Sequence, residues 1–250
     1  MRHTFPARTA LAVLLALGLA VAAFAGDAAK SSVLIITGDD VGAHPWAKTT
    51  PVTQDFLTKS GKFDVKVVEG LAVLDNKEEL QKYVLIYFML YNNKKVKLSD
   101  AAKENLLAVV KDGKGFVVTH LASASFPDWK EWGDLCGRYW AWGKSGHGAR
   151  VPFDVKIVNK EDPITKGVEG FKADDELYAK LLGEAKINVL ATADSDWSKK
   201  TEPLAFTLEC GKGRVFHHCF GHDAKALENP PMQKLIIRGC EWAATGKVTE

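Results

Sequence analysis

From Val33 onward, short apolar runs alternate with stretches in which apolar residues recur every three or four positions. Val33–Thr37 (VLIIT) is apolar on both faces, as a strand buried at the centre of a parallel sheet must be. Phe63–Val68, Tyr83–Leu90 and Phe116–Thr119 read as three more strands. Between them the pattern predicts helices over Pro51–Ser60, with Pro51 in the first turn, over Lys77–Lys82, and from a Ser99 cap to Lys111. A further helix is expected over Trp129–Tyr139. Strand and helix in regular succession imply a parallel sheet with right-handed crossovers.

The second half changes rhythm. Phe153–Val158, Ile187–Ala193, Leu204–Leu208 and Arg214–His218 read as strands joined by turns, and Pro231–Thr245 as a closing helix. The expected fold is therefore an α/β doubly wound sandwich whose parallel core is extended by antiparallel strands. No repeat or linker divides it, so residues 26–250 are expected to form one domain.

Residues 1–25 stand apart. Arg2, His3 and Arg8 precede an apolar run from Ala10 that ends in Ala23-Phe24-Ala25, the pattern of a cleavable signal peptide. The run is shorter than the roughly 20 apolar residues of a spanning helix. Export to the periplasm or the medium is the expectation, with no membrane segment once the signal is removed. Cleavage also removes Arg2 and Arg8, which brings the 33 basic residues level with the 31 acidic ones. A neutral chain lacks the cationic footprint of a nucleic-acid binder. The expected partner is a small-molecule sugar, and no nucleotide cofactor is expected.

The four cysteines do not read as a disulfide framework. Cys210 and Cys219 flank a turn at Gly211-Lys212-Gly213, and pairing about Lys212 would set Cys210 opposite Arg214. Cys219 then lies on the order of 15 Å further along its strand, out of disulfide reach. Small apolar packing is the expected role of all four.

In an open α/β sheet, ligands bind beyond the carboxyl ends of the strands. His44 follows the first strand and His120 the fourth; His217, His218 and His222 belong to the end of the last, and His147 sits in a glycine-rich loop. Chance would scatter histidines over both edges. With Asp39, Asp40, Glu176 and Asp223 nearby in the reading, they suit a divalent metal site or acid–base chemistry. Candidate catalytic residues are His120, His222, Asp223 and Glu176, and candidate metal ligands are His120, His147 and His222, for an ion such as zinc. Asp39, His44, Trp46, Trp140 and Trp142 are candidates for substrate binding. Loop tryptophans offer an apolar platform with an N–H handle, the usual lining for a sugar ring. Strand alternation turns His217 away from the face of His218.

These motifs resemble the ThuA-like (trehalose-utilisation) family, within the class I glutamine-amidotransferase-like superfamily. The resembling pieces include VLIITGDDVGAHPWAKTTP, GKGFVVTHLASASFPDWKEWGDLCGRYW, SGHG, DPITKGVEGF, DELY, EPLAF and GKGRVFHHCFGHDAKALENPPMQKLIIRGCEWAATG, in order from Val33 to Gly246. The resemblance implies a flavodoxin-like fold and a setting in sugar metabolism. True amidotransferases carry a cysteine nucleophile on the turn after the fourth strand; here that turn is His120-Leu121-Ala122-Ser123. Ser123 and Ser125 are poor substitutes, because no G-x-S-x-G elbow surrounds them. Two readings follow. One is an enzyme acting on a sugar or keto-sugar, with metal-assisted acid–base chemistry and no glutaminase activity. The other is a non-catalytic carbohydrate-binding or interaction domain.

Overall fold

The computed structural model describes Met1 and residues 29–249, so the signal-peptide assignment lies, Met1 apart, outside the described residues. Nine strands form one sheet in the order β2-β1-β3-β4-β9-β8-β7-β5-β6. The first five are β2 (Phe63–Glu69), β1 (Ser31–Thr37), β3 (Leu85–Phe88), β4 (Gly115–Thr119) and β9 (Gly213–His218). They are mutually parallel, in the strand order of a flavodoxin-like core. Then β8 (Lys200–Cys210), β7 (Asn188–Ser195), β5 (Val151–Ile157) and β6 (Phe171–Asp175) continue antiparallel.

Alternation along β1 feeds two cores. Val33 and Ile35 pack with helices α1 (Trp46–Lys59) and α6 (Pro230–Thr245) on one face. Leu34 and Ile36 pack on the other with α2 (Lys77–Gln81), α3 (Asp100–Lys111) and α4 (Lys130–Cys136). A short helix, α5 (Ala224–Leu227), follows β9, capped by the Asp223 carboxylate through the Ala226 N–H. Among the described residues, no helix is long and apolar enough to cross a membrane.

Three sequence expectations need correction. Helix α1 begins at Trp46, so Pro51 lies inside it. The hydrogen bond Pro51 cannot donate leaves only the Ala47 carbonyl unmatched, and Ala47 is exposed to water. The β8–β9 turn is Gly211-Lys212, with Gly211 at φ 62°, which sets Cys210 opposite Gly213 and Glu209 opposite Arg214. All four cysteines are free thiols. Strand β6 is absent from the sequence reading altogether.

That strand positions the site. Its hairpin partner β5 pairs with β7 only through Lys156 and Ile157. Beyond these residues the β5–β6 hairpin leaves the sheet and packs against Phe220, with Phe171 and Phe220 ring centroids 6.0 Å apart. The Gly221 and His222 N–H groups both donate to the carboxylate of Asp175, the last residue of β6. Four antiparallel steps return β6 to the direction of the core strands, so Glu176 leaves it at the edge where β1, β4 and β9 end.

Candidate active site: four imidazoles around one carboxylate

Four loops converge at that edge. The β1 loop brings His44, the turn after β4 brings His120, and the segment after β9 brings His222. The loop between α4 and β5 brings His147. Glu176 stands at their centre. Its Oε2 lies 3.5 Å from His44 Nε2 and 3.6 Å from His120 Nε2. Its Oε1 lies 3.4 Å from His147 Nε2 and 3.3 Å from His222 Nε2.

The opposite nitrogen of each ring is also held. His120 Nδ1 is 2.8 Å from the Cys219 carbonyl oxygen and His147 Nδ1 is 2.7 Å from that of Gly148. His44 Nδ1 lies 3.2 Å from Asp40 Oδ1, and His222 Nδ1 lies 3.3 Å from Asp223 Oδ2. Oxygen acceptors at Nδ1 favour the ring proton there in His44, His120 and His147, while His222 Nδ1 lies 3.3 Å from the Arg150 Nη1 donor as well as from Asp223. Every Nε2 faces Glu176, the arrangement from which histidine binds a metal once that nitrogen carries no proton.

The spacing tests whether an ion fits. Separations of 3.3–3.6 Å are long for hydrogen bonds. Two donors each about 2 Å from one tetrahedral ion stand roughly 3.3 Å apart. His44, Glu176 and His222 can present donor atoms within 4.8 Å of one another. His120 Nε2 is buried without a hydrogen-bond partner. The donor set fits a divalent cation.

Burial opposes charge on His44, and its contacts with Asp40 and Glu176 overcome it, raising its pKa to about 9, so the ring on its own is protonated at neutral pH and a ligand role requires an ion to displace that proton. Glu176 is also penalised by burial, yet contacts with His120 and His44 hold it far below the usual carboxylate range. Burial raises Asp175, while Asp223 is lowered by the Ala226 N–H, Arg150 and His222 against its own desolvation.

His120 adopts φ 48°, a left-handed conformation uncommon outside glycine. The surrounding contacts hold it there: the Cys219 carbonyl on one edge and the Tyr178 ring stacked at 4.1 Å on its face. Tyr178 belongs to the segment after Glu176, which is bridged to the His147 loop by paired hydrogen bonds between Gly146 and Ala179. Trp197, from the β7–β8 turn, lies against Gly146, where an added Cβ would come within 2.6 Å of the indole.

The sequence candidates separate by position. His44, His120, His147, His222 and Glu176 share one site, with Asp223 on its margin. Asp39 is turned away and accepts the Lys94 N–H; its neighbour Asp40 is the carboxylate that touches His44. The Asp40–His44 spacing of four residues was the available signal. Trp46 opens α1, half-exposed, and makes none of the described contacts of the cluster. Trp140 is buried against Tyr178 at 4.5 Å instead of lining an open platform, and Trp142 is exposed. Ser123 and Ser125 are spent on backbone contacts with His120 and Leu90. His217 and His218 lie within β9 and not beyond it. His218 hydrogen-bonds Tyr87 on one face, and His217 hydrogen-bonds the Cys136 carbonyl on the other.

A doubly wound α/β domain with a histidine–carboxylate centre at its strand ends is the class that fold and site define. The ThuA family model, described as trehalose utilisation, matches residues 32–243, and the chain belongs to that family. A ThuA-like protein from Parabacteroides merdae is similar at 29% identity and TM-score 0.77, over 89% of this chain and 92% of that one. A ThuA-like protein from Bacteroides uniformis shares 17% identity at TM-score 0.68, over 90% and 97%. A cytoplasmic protein from Salmonella typhimurium shares the fold at 14% identity and TM-score 0.60, over 84% and 98%. No curated protein matches the chain significantly.

Proposed function

We propose that this protein is an enzyme of sugar metabolism that performs metal-assisted acid–base chemistry on a sugar or keto-sugar. One observation carries the reading: four inward-facing Nε2 atoms surround Glu176 while every Nδ1 is held from behind, those of His44, His120 and His147 by an oxygen acceptor and that of His222 by the Asp223–Arg150 pair. A structural salt-bridge cluster has no need of four imidazoles oriented alike.

His44, His222 and Glu176 would hold the ion, and a divalent ion there supplies polarisation of a carbonyl or hydroxyl oxygen. Asp40 and Asp223 fix the orientation of the two ligand imidazoles. His120 is the general base. Its Nε2 lone pair has no partner in the protein, and the Cys219 carbonyl at Nδ1 stabilises the imidazolium formed when it takes a proton. His147 has the most exposed side chain of the four, at 35%, and meets the substrate from the solvent side. Substituting His120 for a cysteine nucleophile removes the thioester route of an amidotransferase. The basic start, apolar run and Ala23-Phe24-Ala25 motif support an exported setting.

Elemental analysis of protein purified without a histidine tag tests the proposal. About one equivalent of a divalent metal is expected, lost in His222→Ala. A metal-free protein whose sugar binding is unchanged by His222→Ala would instead identify a binding module.

A further inference from the structure

Beside the histidine centre runs a groove of about 570 Å³, within the usual range of ligand sites. Its floor is aromatic. Trp142 is 57% exposed and its ring rests 6.1 Å from that of the buried Tyr91 at 53°, so Tyr91 backs the indole while the indole offers the open face. Its rim is cationic: Lys95, Lys97 and Lys103 line it, against Asp128 as the one lining carboxylate. Lys103 lies 3.6 Å from the fully exposed Asp100. Among the described residues, neither Lys95 nor Lys97 forms an ion pair.

The rim is built, not a loose run of lysines. Asn92 is buried and its side-chain amide both donates to the Val96 carbonyl and accepts from the Val96 N–H. That clamp closes a tight loop with Lys95 at φ 54°, a left-handed conformation that the clamp holds. The Asn92 N–H is fixed in turn by Ser125 Oγ.

The groove joins the centre at two points. Trp142 is 5.7 Å from Trp140, which is 6.1 Å from His147, so one ring separates groove from cluster. On the other side the Tyr91 N–H donates to the Asp39 carbonyl and Asn93 Nδ2 to that of Asp40.

We infer that the groove is a subsite for an anionic saccharide unit, a sugar ring bearing a carboxylate or phosphate group, attached to the sugar held at the histidine centre. The inference rests on the proposed reading of that centre as a sugar site. Trp142 receives the ring face, and Lys95 and Lys97 receive the charge. The near balance of 33 basic against 31 acidic residues over the whole chain conceals this local field.

Calorimetric titration of the intact protein with cellobiose, cellobiouronic acid and cellobiose 6-phosphate tests it. These probes share ring number and linkage and differ in the anionic group. At least one acid is expected to bind about tenfold more tightly than cellobiose at low salt, and the better acid identifies the group. The preference should shrink in 0.5 M salt, where the Debye length is only about 4 Å. It should vanish in Lys95→Ala/Lys97→Ala and return in Lys95→Arg/Lys97→Arg. Trp142→Ala should weaken neutral and acidic probes alike. Equal binding of all three probes, no binding at all, or a preference that survives the double alanine variant overturns the subsite. Metal content separates this from the parent proposal. A metal-loaded protein without charge preference loses the subsite alone, and a metal-free protein with it loses the catalytic reading alone.

Discussion

The imidazole of His120 lies against the phenol ring of Tyr178, centroids 4.1 Å apart and planes 25° from parallel. This contact joins the end of β4 to the segment that follows Glu176, and it covers the face of a ring whose backbone is held in a strained region. Tyr178 is itself almost fully buried, so its hydroxyl is pushed well above its ordinary pKa and stays protonated.

Tyr178→Phe should therefore keep both the stack and the geometry of His120, with metal content and turnover near those of the parent. Tyr178→Ala should lose about 3–5 kcal/mol of stability to the cavity it leaves and reduce turnover further by freeing the His120 ring. Urea unfolding alongside kcat on the two variants checks this. A Phe variant as inactive as the Ala variant would make the hydroxyl, not the stack, the working part.

Asp40 and Asp223 offer a second test, because they touch the Nδ1 edges of two proposed ligands without entering the centre. Asp40→Asn and Asp223→Asn should each weaken metal binding about 10–100-fold, the usual effect of removing an outer carboxylate partner from a ligand histidine. Competition with a chelator measures it directly. Asp39→Asn, at a side chain that receives only the Lys94 N–H, should leave affinity unchanged.

The contrast between Asp39 and Asp40 shows how far the sequence reaches. The parallel core was legible because β1, β3 and β4 are apolar on both faces, and the strand-end rule then collected His44, His120 and His222. Strand β6 was not, because Phe171–Asp175 (FKADD) buries only Ala173 and Asp175. Its second buried position is a carboxylate that serves backbone N–H groups of a distant loop, which no periodicity records. The same limit hid which of two adjacent aspartates faces His44, and it let Trp140 pass for a loop platform.

A pH prediction follows from His217, which burial holds down to about 4 despite its hydrogen bond with the Cys136 carbonyl. The unfolded chain takes up a proton near pH 6.5 that the folded protein refuses until about pH 4. Stability should then fall as the pH drops through that window, by on the order of 3 kcal/mol from this residue. Urea unfolding between pH 7 and 4 should show a shallower decline, by about one proton, in His217→Gln. Identical slopes in the two proteins would place the acid sensitivity elsewhere.

The β5–β6 hairpin that carries Glu176 over the sheet also sets an order of assembly. The residues gathered at the centre run from His44 to His222, and the carboxylate among them is anchored to backbone of the last of these segments through Asp175. No shorter stretch of chain can present the complete set of these side chains, so a growing polypeptide lacks the proposed site until almost its full length has emerged. If the chain crosses a membrane unfolded, as the proposed export would have it, an ion at the proposed site would come from whatever the far side offers, and the compartment would decide which.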